Sequence, residues 1–201
     1  MYNKRGKFIV VEGVDGAGKT TAIQIALGHP KERLASSRKG FTNQSTWDCY
    51  IHAHSRSFLY YADFIMQTFQ IIRPMLLRGE HVVQDRYIQS IDSFLPDARF
   101  LHNRIWRWML NSLFLKPDAF VLFLAGVGEI VSRLKHAEST QPNAYHEFLT
   151  KHLECITERQ QEYMKIYERL GGAKYLIDTT GKTSVECAHI LENIICNTIQ
   201  C

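Results

Sequence analysis

The chain has 201 residues, 45% apolar and 22% charged, which suffices for one substantial core and shows no compositional split into two domains. Its formal charge of +4 comes from scattered Lys and Arg, a balance that favours phosphorylated small molecules and excludes the basic runs of a nucleic-acid surface. The longest apolar stretch, Phe120 to Val127, is far shorter than the roughly 20 residues that cross a bilayer.

In chain order, short apolar runs alternate with stretches of helical period, the pattern of parallel strands joined by crossover helices. Phe8 to Val11 reads as a buried strand and Lys19 to Leu27 as a helix stopped by Gly28 and Pro30. Leu34 to Ser37 is a weaker strand. Ser57 to Leu77 carries Leu59, Ala62, Ile65, Met66, Phe69 and Ile72 on one stripe, which predicts a helix kinked near Pro74 and ended by Gly79. His81 to Gln84 is the next strand, Phe100 to Leu115 a helix of core aromatics, and Ala119 to Leu124 another strand. Lys135 to Asn143, polar and containing Pro142, reads as a mobile loop. Glu147 to Leu170 predicts one long amphipathic helix, Lys174 to Ile177 a strand, and Ser184 to Ile199 a closing helix. The five cysteines form no C-x-x-C pair, and Met1 to Lys7 is polar with no secretory apolar segment after it. Reduced thiols in the cytoplasm are therefore expected.

Gly13-Val14-Asp15-Gly16-Ala17-Gly18-Lys19-Thr20 fits G-x-x-x-x-G-K-[ST], directly after the first strand and opening the first helix. In such a P-loop the glycines let backbone N–H groups turn onto a phosphate, and the helix N-terminus adds positive potential. Gly13, Asp15, Gly16, Ala17, Gly18, Lys19, Thr20 and Thr21 are thus expected around ATP. Lys19 should bridge the β- and γ-phosphates, and Thr20 should hold Mg²⁺. Asp85-Arg86-Tyr87 follows the strand His81 to Gln84, so Asp85 emerges at a carboxyl strand end, where open parallel sheets bind ligands. Asp85 suits an acid that holds Mg²⁺ through water or orients the attacking oxygen, and Arg86 a bidentate grip on phosphate. His52 and His54 stand two apart without further ligands at a metal-site spacing, and read as polar rim residues.

The runs FIVVEGVDGAGKTT (Phe8 to Thr21), LYYADFIMQTFQIIRPMLLRGEHVVQDRYIQS (Leu59 to Ser90) and KPDAFVLFLAGVGEIVSRL (Lys116 to Leu134) resemble thymidylate kinases, in that family's order and spacing. The resemblance implies a P-loop NTPase-type α/β fold: one domain with a doubly wound parallel five-stranded sheet, helices on both faces and a short lid at about 135–146. It implies transfer of the ATP γ-phosphoryl group to a nucleoside monophosphate, thymidylate first, with Mg²⁺, no nucleic-acid or membrane partner, and a homodimer. By matching position, Asp85 acts near Mg²⁺ and the acceptor phosphate, Arg86 and Arg38 bind acceptor phosphate, and Asp15 positions the acceptor sugar. Tyr60 stacks on the acceptor base, Ser90 and Phe94 line its pocket, and Arg133 lies over the donor adenine.

Departures from the family pattern fall on acceptor and transfer groups. Ala62-Asp63-Phe64 carries an aromatic ring where an arginine is usual, so Phe64 is expected either to form an aromatic wall with Tyr60, four residues away, or to join the core. Arg38-Lys39-Gly40-Phe41 only echoes the family's arginine-glutamate-proline-glycine run, and Ala125-Gly126 replaces a strand-end aspartate. Neither the P-loop nor Lys135 to Tyr145 contains an arginine, although such a cation accelerates phosphoryl transfer greatly. A kinase of a nucleoside or other small acceptor, and a nucleotide-binding protein without useful catalysis, stay open at this point.

Overall fold

The computed structural model describes residues 5–28, 34–37, 61–94, 112–140 and 143–200. Five parallel strands form one sheet: β1 (Phe8–Glu12), β2 (Leu34–Ser37), β3 (His81–Asp85), β4 (Ala119–Leu124) and β5 (Ala173–Asp178), in the order β2-β3-β1-β4-β5. Every residue of β1 is buried, as an apolar strand flanked on both edges and covered on both faces must be. The helices are α1 (Lys19–Leu27), α2 (61–77), α3 (Ile88–Phe94), α4 (Val127–Thr140), α5 (Ala144–Lys151), α6 (Leu153–Arg169) and α7 (Ser184–Gln200).

The step from β1 to β2 runs one way along the sheet, and the next three steps run the other way. Right-handed crossovers therefore put α1 on one face and α2 to α6 on the opposite one. The packing follows: α7 returns to cover α1, while α3 packs on α6. This is the doubly wound five-stranded sheet that the sequence led us to expect. Its topological switch lies beside β1, where the connections part to the two faces, and register there aligns Val11 with Asp85.

Beneath α2 the core is aromatic. The Tyr87 ring meets Phe8, Phe64 and Phe114 edge-on, with centroids 5.2, 5.8 and 5.6 Å away. Its hydroxyl is satisfied by Thr68 Oγ1 at 2.7 Å and the Leu115 amide at 3.2 Å.

Two expectations are corrected. The segment Lys135 to Asn143 is no continuous loop: α4 runs to Thr140, because Lys, His, Ala and Glu sustain a helix until the residues before Pro142. Asn143 already caps α5, its side chain accepting from the Tyr145 and His146 amides. The single helix expected over Glu147 to Leu170 is two, broken at His152 (φ −122°, ψ 75°). Where a kink is expected near Pro74, α2 is π-helical over Thr68–Ile72 and resumes as α-helix over Arg73–Leu77, with Pro74 in the first turn of that stretch.

Candidate active site

The loop between β1 and α1 is shaped by its glycines. Gly13 has φ 141°, and a Cβ there would sit 2.3 Å from Phe123 O on neighbouring β4. Gly16, at φ 81°, has Ile130 and Leu134 of α4 pressed against it. The loop is thus clamped between β4 and α4. Lys19, 4% exposed, donates from Nζ to Gly13 O and Val14 O, both at 2.7 Å. Burial and the charge of Arg86 bring its pKa down to about 8. Thr21 is exposed and flanks the cradle.

β3 delivers the second half of the site. Asp85 Oδ2 accepts from Thr20 Oγ1 at 2.6 Å. This hydroxyl and carboxylate pair supplies hard oxygen donors of the kind Mg²⁺ takes. Arg86 then turns back with φ 67°, a left-handed backbone that non-glycine residues adopt rarely. The turn is held by Arg86 N donating to Val11 O at 3.0 Å and by Gln84 Nε2 donating to Arg86 O at 2.9 Å. As a result the guanidinium reaches across to the P-loop and pairs with Asp15. Burial opposes its charge, but Asp15, Tyr163, Glu12 and Asp85 outweigh burial and push its pKa upward. Burial also works to raise Asp15, yet Arg86, Lys19, His146 and Arg159 hold that carboxyl below its ordinary value.

Glu12, wholly buried at the end of β1, was not anticipated. It accepts from the Tyr87 amide (2.8 Å), Ser90 Oγ (2.7 Å) and Tyr163 OH (3.1 Å). Burial raises its pKa against the pull of Arg86, these donors and Lys19. Tyr163 comes from α6, 151 residues away in sequence, and burial with the nearby Glu12 keeps it a phenol by raising its pKa. A carboxylate ending an otherwise apolar run, directly before the loop glycine, was the available signal for Glu12. Nothing local marked Tyr163.

Arg133 of α4 donates to Gly16 O at 3.3 Å, and to Thr179 Oγ1 and O at 2.9 and 3.1 Å, which sets it against the outer flank of the loop. Thr179, 1% exposed, joins three elements. Its hydroxyl lies 3.2 Å from Ala17 O and 3.1 Å from Leu124 O, and its amide donates to Leu124 O at 2.8 Å.

Of the expected acceptor residues, Ser90 is 5% exposed with its hydroxyl given to Glu12. Phe64 is 9% exposed and edge-on to Tyr87, which places its ring in the core; the expected wall with Tyr60 involves a residue outside the described ones. Arg38, Tyr60, His52 and His54 lie outside the described residues, as does the side chain of Phe94 at the end of α3. Lys19, Thr20, Asp85, Arg86 and Asp15 are brought together.

The family model described as thymidylate kinase matches residues 48–190. A thymidylate kinase of Francisella philomiragia is 32% identical over 132 residues, covering 57% of this chain and 64% of that one. A probable thymidylate kinase of Natronomonas pharaonis is 39% identical over 94 residues, 41% of this chain and 46% of that one. The first relatives are thus matched over only about half to two thirds of their length. The thymidylate kinase of Nitrosospira multiformis is 27% identical over 178 residues, 79% and 85% of the two chains. The crystal structure of thymidylate kinase from Ehrlichia chaffeensis shares the fold, with a TM-score of 0.68 over 95% of this chain and 99% of that one at 14% identity. With a family match across well over half its length, and a sheet and phosphate loop built as described, the chain belongs to the thymidylate kinase family.

Proposed function

We propose that this chain is a nucleoside monophosphate kinase that moves the γ-phosphoryl group of ATP to a deoxynucleoside monophosphate, thymidylate before others. The observation that carries this reading is the Arg86 turn. A left-handed residue at the end of β3 aims a guanidinium at the P-loop carboxylate Asp15, so a cation fit for a second phosphate faces the donor cradle. A plain ATPase has no need of this arrangement.

In this reading Lys19 leaves the Gly13 and Val14 carbonyls for the β- and γ-phosphates, and Gly13, Gly16, Ala17 and Gly18 offer backbone amides. Arg133 covers the adenine side. Arg86 takes the acceptor phosphate, Asp15 orients the acceptor sugar, and Arg38, Tyr60, Ser90 and Phe94 complete the acceptor pocket. Thr20 and Asp85 would hold Mg²⁺, which supplies charge neutralisation on the phosphates when bound. Catalysis of this kind is positioning plus electrostatics, with little covalent work for the protein. We further place the protein in the cytoplasm as a homodimer. No helix among the described residues is long and apolar enough to cross a membrane.

The test is ADP release from ATP with a panel of nucleosides and nucleoside monophosphates. Turnover of thymidylate, with thymidine inert, is the expected result. Turnover of nucleosides alone would replace the acceptor assignment, and binding of ATP without any turnover would remove the enzymatic one.

A further inference from the structure

The sequence lacks an arginine in the P-loop and between Lys135 and Tyr145, yet α6 carries one, Arg159, within electrostatic reach of Asp15 on the phosphate loop. Arg159 lies one turn before Tyr163, and residues four apart share a helix face. Tyr163 OH reaches Glu12 at 3.1 Å and lies 3.5 Å from Arg86 Nη1, which fixes that face toward the phosphate loop. The next register is equally constrained: Ile156 is buried, and Gln160 Oε1 accepts from the Ala125 amide at 3.3 Å at the tip of β4. Arg159 is half-buried, with its guanidinium 5.0 Å from the centroid of the Tyr145 ring, on the first turn of α5. Stacking of this kind holds a guanidinium flat.

We propose that Arg159, carried on α6 and braced by Tyr145, is the catalytic cation that contacts the transferring phosphoryl group and takes the place of the arginine missing from the loop and the segment after α4. This rests on the kinase reading above. The electrostatics agree with the geometry. Arg159 is within electrostatic reach of Asp15, Tyr163 and Arg86; burial and Arg86 both weigh against its charge. Lys19, Arg86 and Arg159 thus converge on Asp15, whose contact ion pair is already made by Arg86. His146, whose Nδ1 is buried with no hydrogen bond among the described residues, adds to the same field. Three cations that gather at the phosphate loop beside Asp15, Asp85 and Glu12 suit a polyanionic ligand. The bracing also makes the cation conditional on α5: Asn143 caps that helix and sets Tyr145 in place, so the short segment after α4 acts by positioning an arginine that it does not itself contain.

Arg159→Met keeps the aliphatic stem over Tyr145 and removes the charge. Its kcat should fall about 10²- to 10³-fold, the loss seen when one transition-state donor is removed, while both KM values stay within about threefold. Arg159→Lys should recover part of the loss, and guanidinium ion should rescue Arg159→Ala. An unchanged kcat, or a loss confined to KM for the monophosphate, would overturn the proposal. A separate measurement guards against a wrong acceptor assignment: the affinity for ADP with aluminium fluoride should drop strongly in Arg159→Met, and that for ADP alone should not. Equal loss for both would show that Arg159 only shapes the site, whether or not wild type turns over any monophosphate.

Discussion

Lys19 shows how one residue is held ready. Its ammonium is buried among loop carbonyls, with a pKa near 8 because burial and Arg86 disfavour the charge. Polyphosphate reverses that imbalance, so ATP binding should draw in a proton when the free lysine is partly neutral. Near pH 8 about half a proton should be taken up per ATP, and affinity should fall as pH rises further, the sign linkage requires of a cation whose pKa is higher in the complex. Calorimetry in buffers of different ionisation enthalpy measures this directly. No uptake between pH 7.5 and about 9 would mean that Lys19 is already fully charged before ATP binds or does not meet the phosphates. Lys19→Ala should leave the fold intact and reduce phosphoryl transfer to well below a tenth of wild type, since the lost charge acts on the β- and γ-phosphates. Far-ultraviolet circular dichroism beside steady-state kinetics separates the two effects.

Among the elements, β1 is tied to its surroundings through Glu12, which gathers the turn after β3, α3 and α6 on one carboxylate. Glu12→Gln turns an amide donor toward at least one of three donors, and should cost about 1–3 kcal/mol in denaturant unfolding. A variant as stable as wild type would mean the cluster adapts and Glu12 is dispensable to the fold. α2 offers a contrast between faces. Phe64→Ala should cost about 3–5 kcal/mol as an aromatic deleted from the core, whereas Met66→Ala, at a 37% exposed site, should lie within about 1 kcal/mol. Phe64→Leu should leave the choice among thymidylate, deoxyuridylate and deoxycytidylate unchanged; a shift in that choice would return Phe64 to the acceptor pocket. The same elements show what sequence can carry. Strands β1, β3 and β4 were legible because buried parallel strands are continuous apolar runs. Helix α4 was not: Gly126 and Gly128 flank its start, and polar Lys135 to Ser139 resembles a loop when no partner surface is visible. The break at His152 has neither Gly nor Pro to announce it.

For the whole molecule, ligand binding at the ends of β1 and β3 should stabilise the entire sheet, because these strands lie at its centre. ATP at a hundred times its Kd should add about 2.7 kcal/mol to unfolding in one transition by fluorescence and circular dichroism alike. Separate midpoints for the two probes would show that the β5 and α7 edge unfolds independently. Legibility of the site divides along the same line. The P-loop and Asp85-Arg86 are contiguous motifs with a fixed mechanical meaning, whereas Glu12 meets Tyr163, and Arg159 comes within electrostatic reach of Asp15, only through the winding of the chain.

Thr179 adds a last consequence of that winding. Its hydroxyl has one hydrogen and two carbonyls within reach, Ala17 O on the phosphate loop and Leu124 O on β4, and Leu124 O keeps the Thr179 amide whichever way the hydroxyl turns. The amide thus satisfies Leu124 O by itself, and the hydroxyl can be given wholly to Ala17 O on the phosphate loop. One side chain just after β5 therefore fastens the loop to the tip of β4, beside the packing that already presses on Gly13 and Gly16.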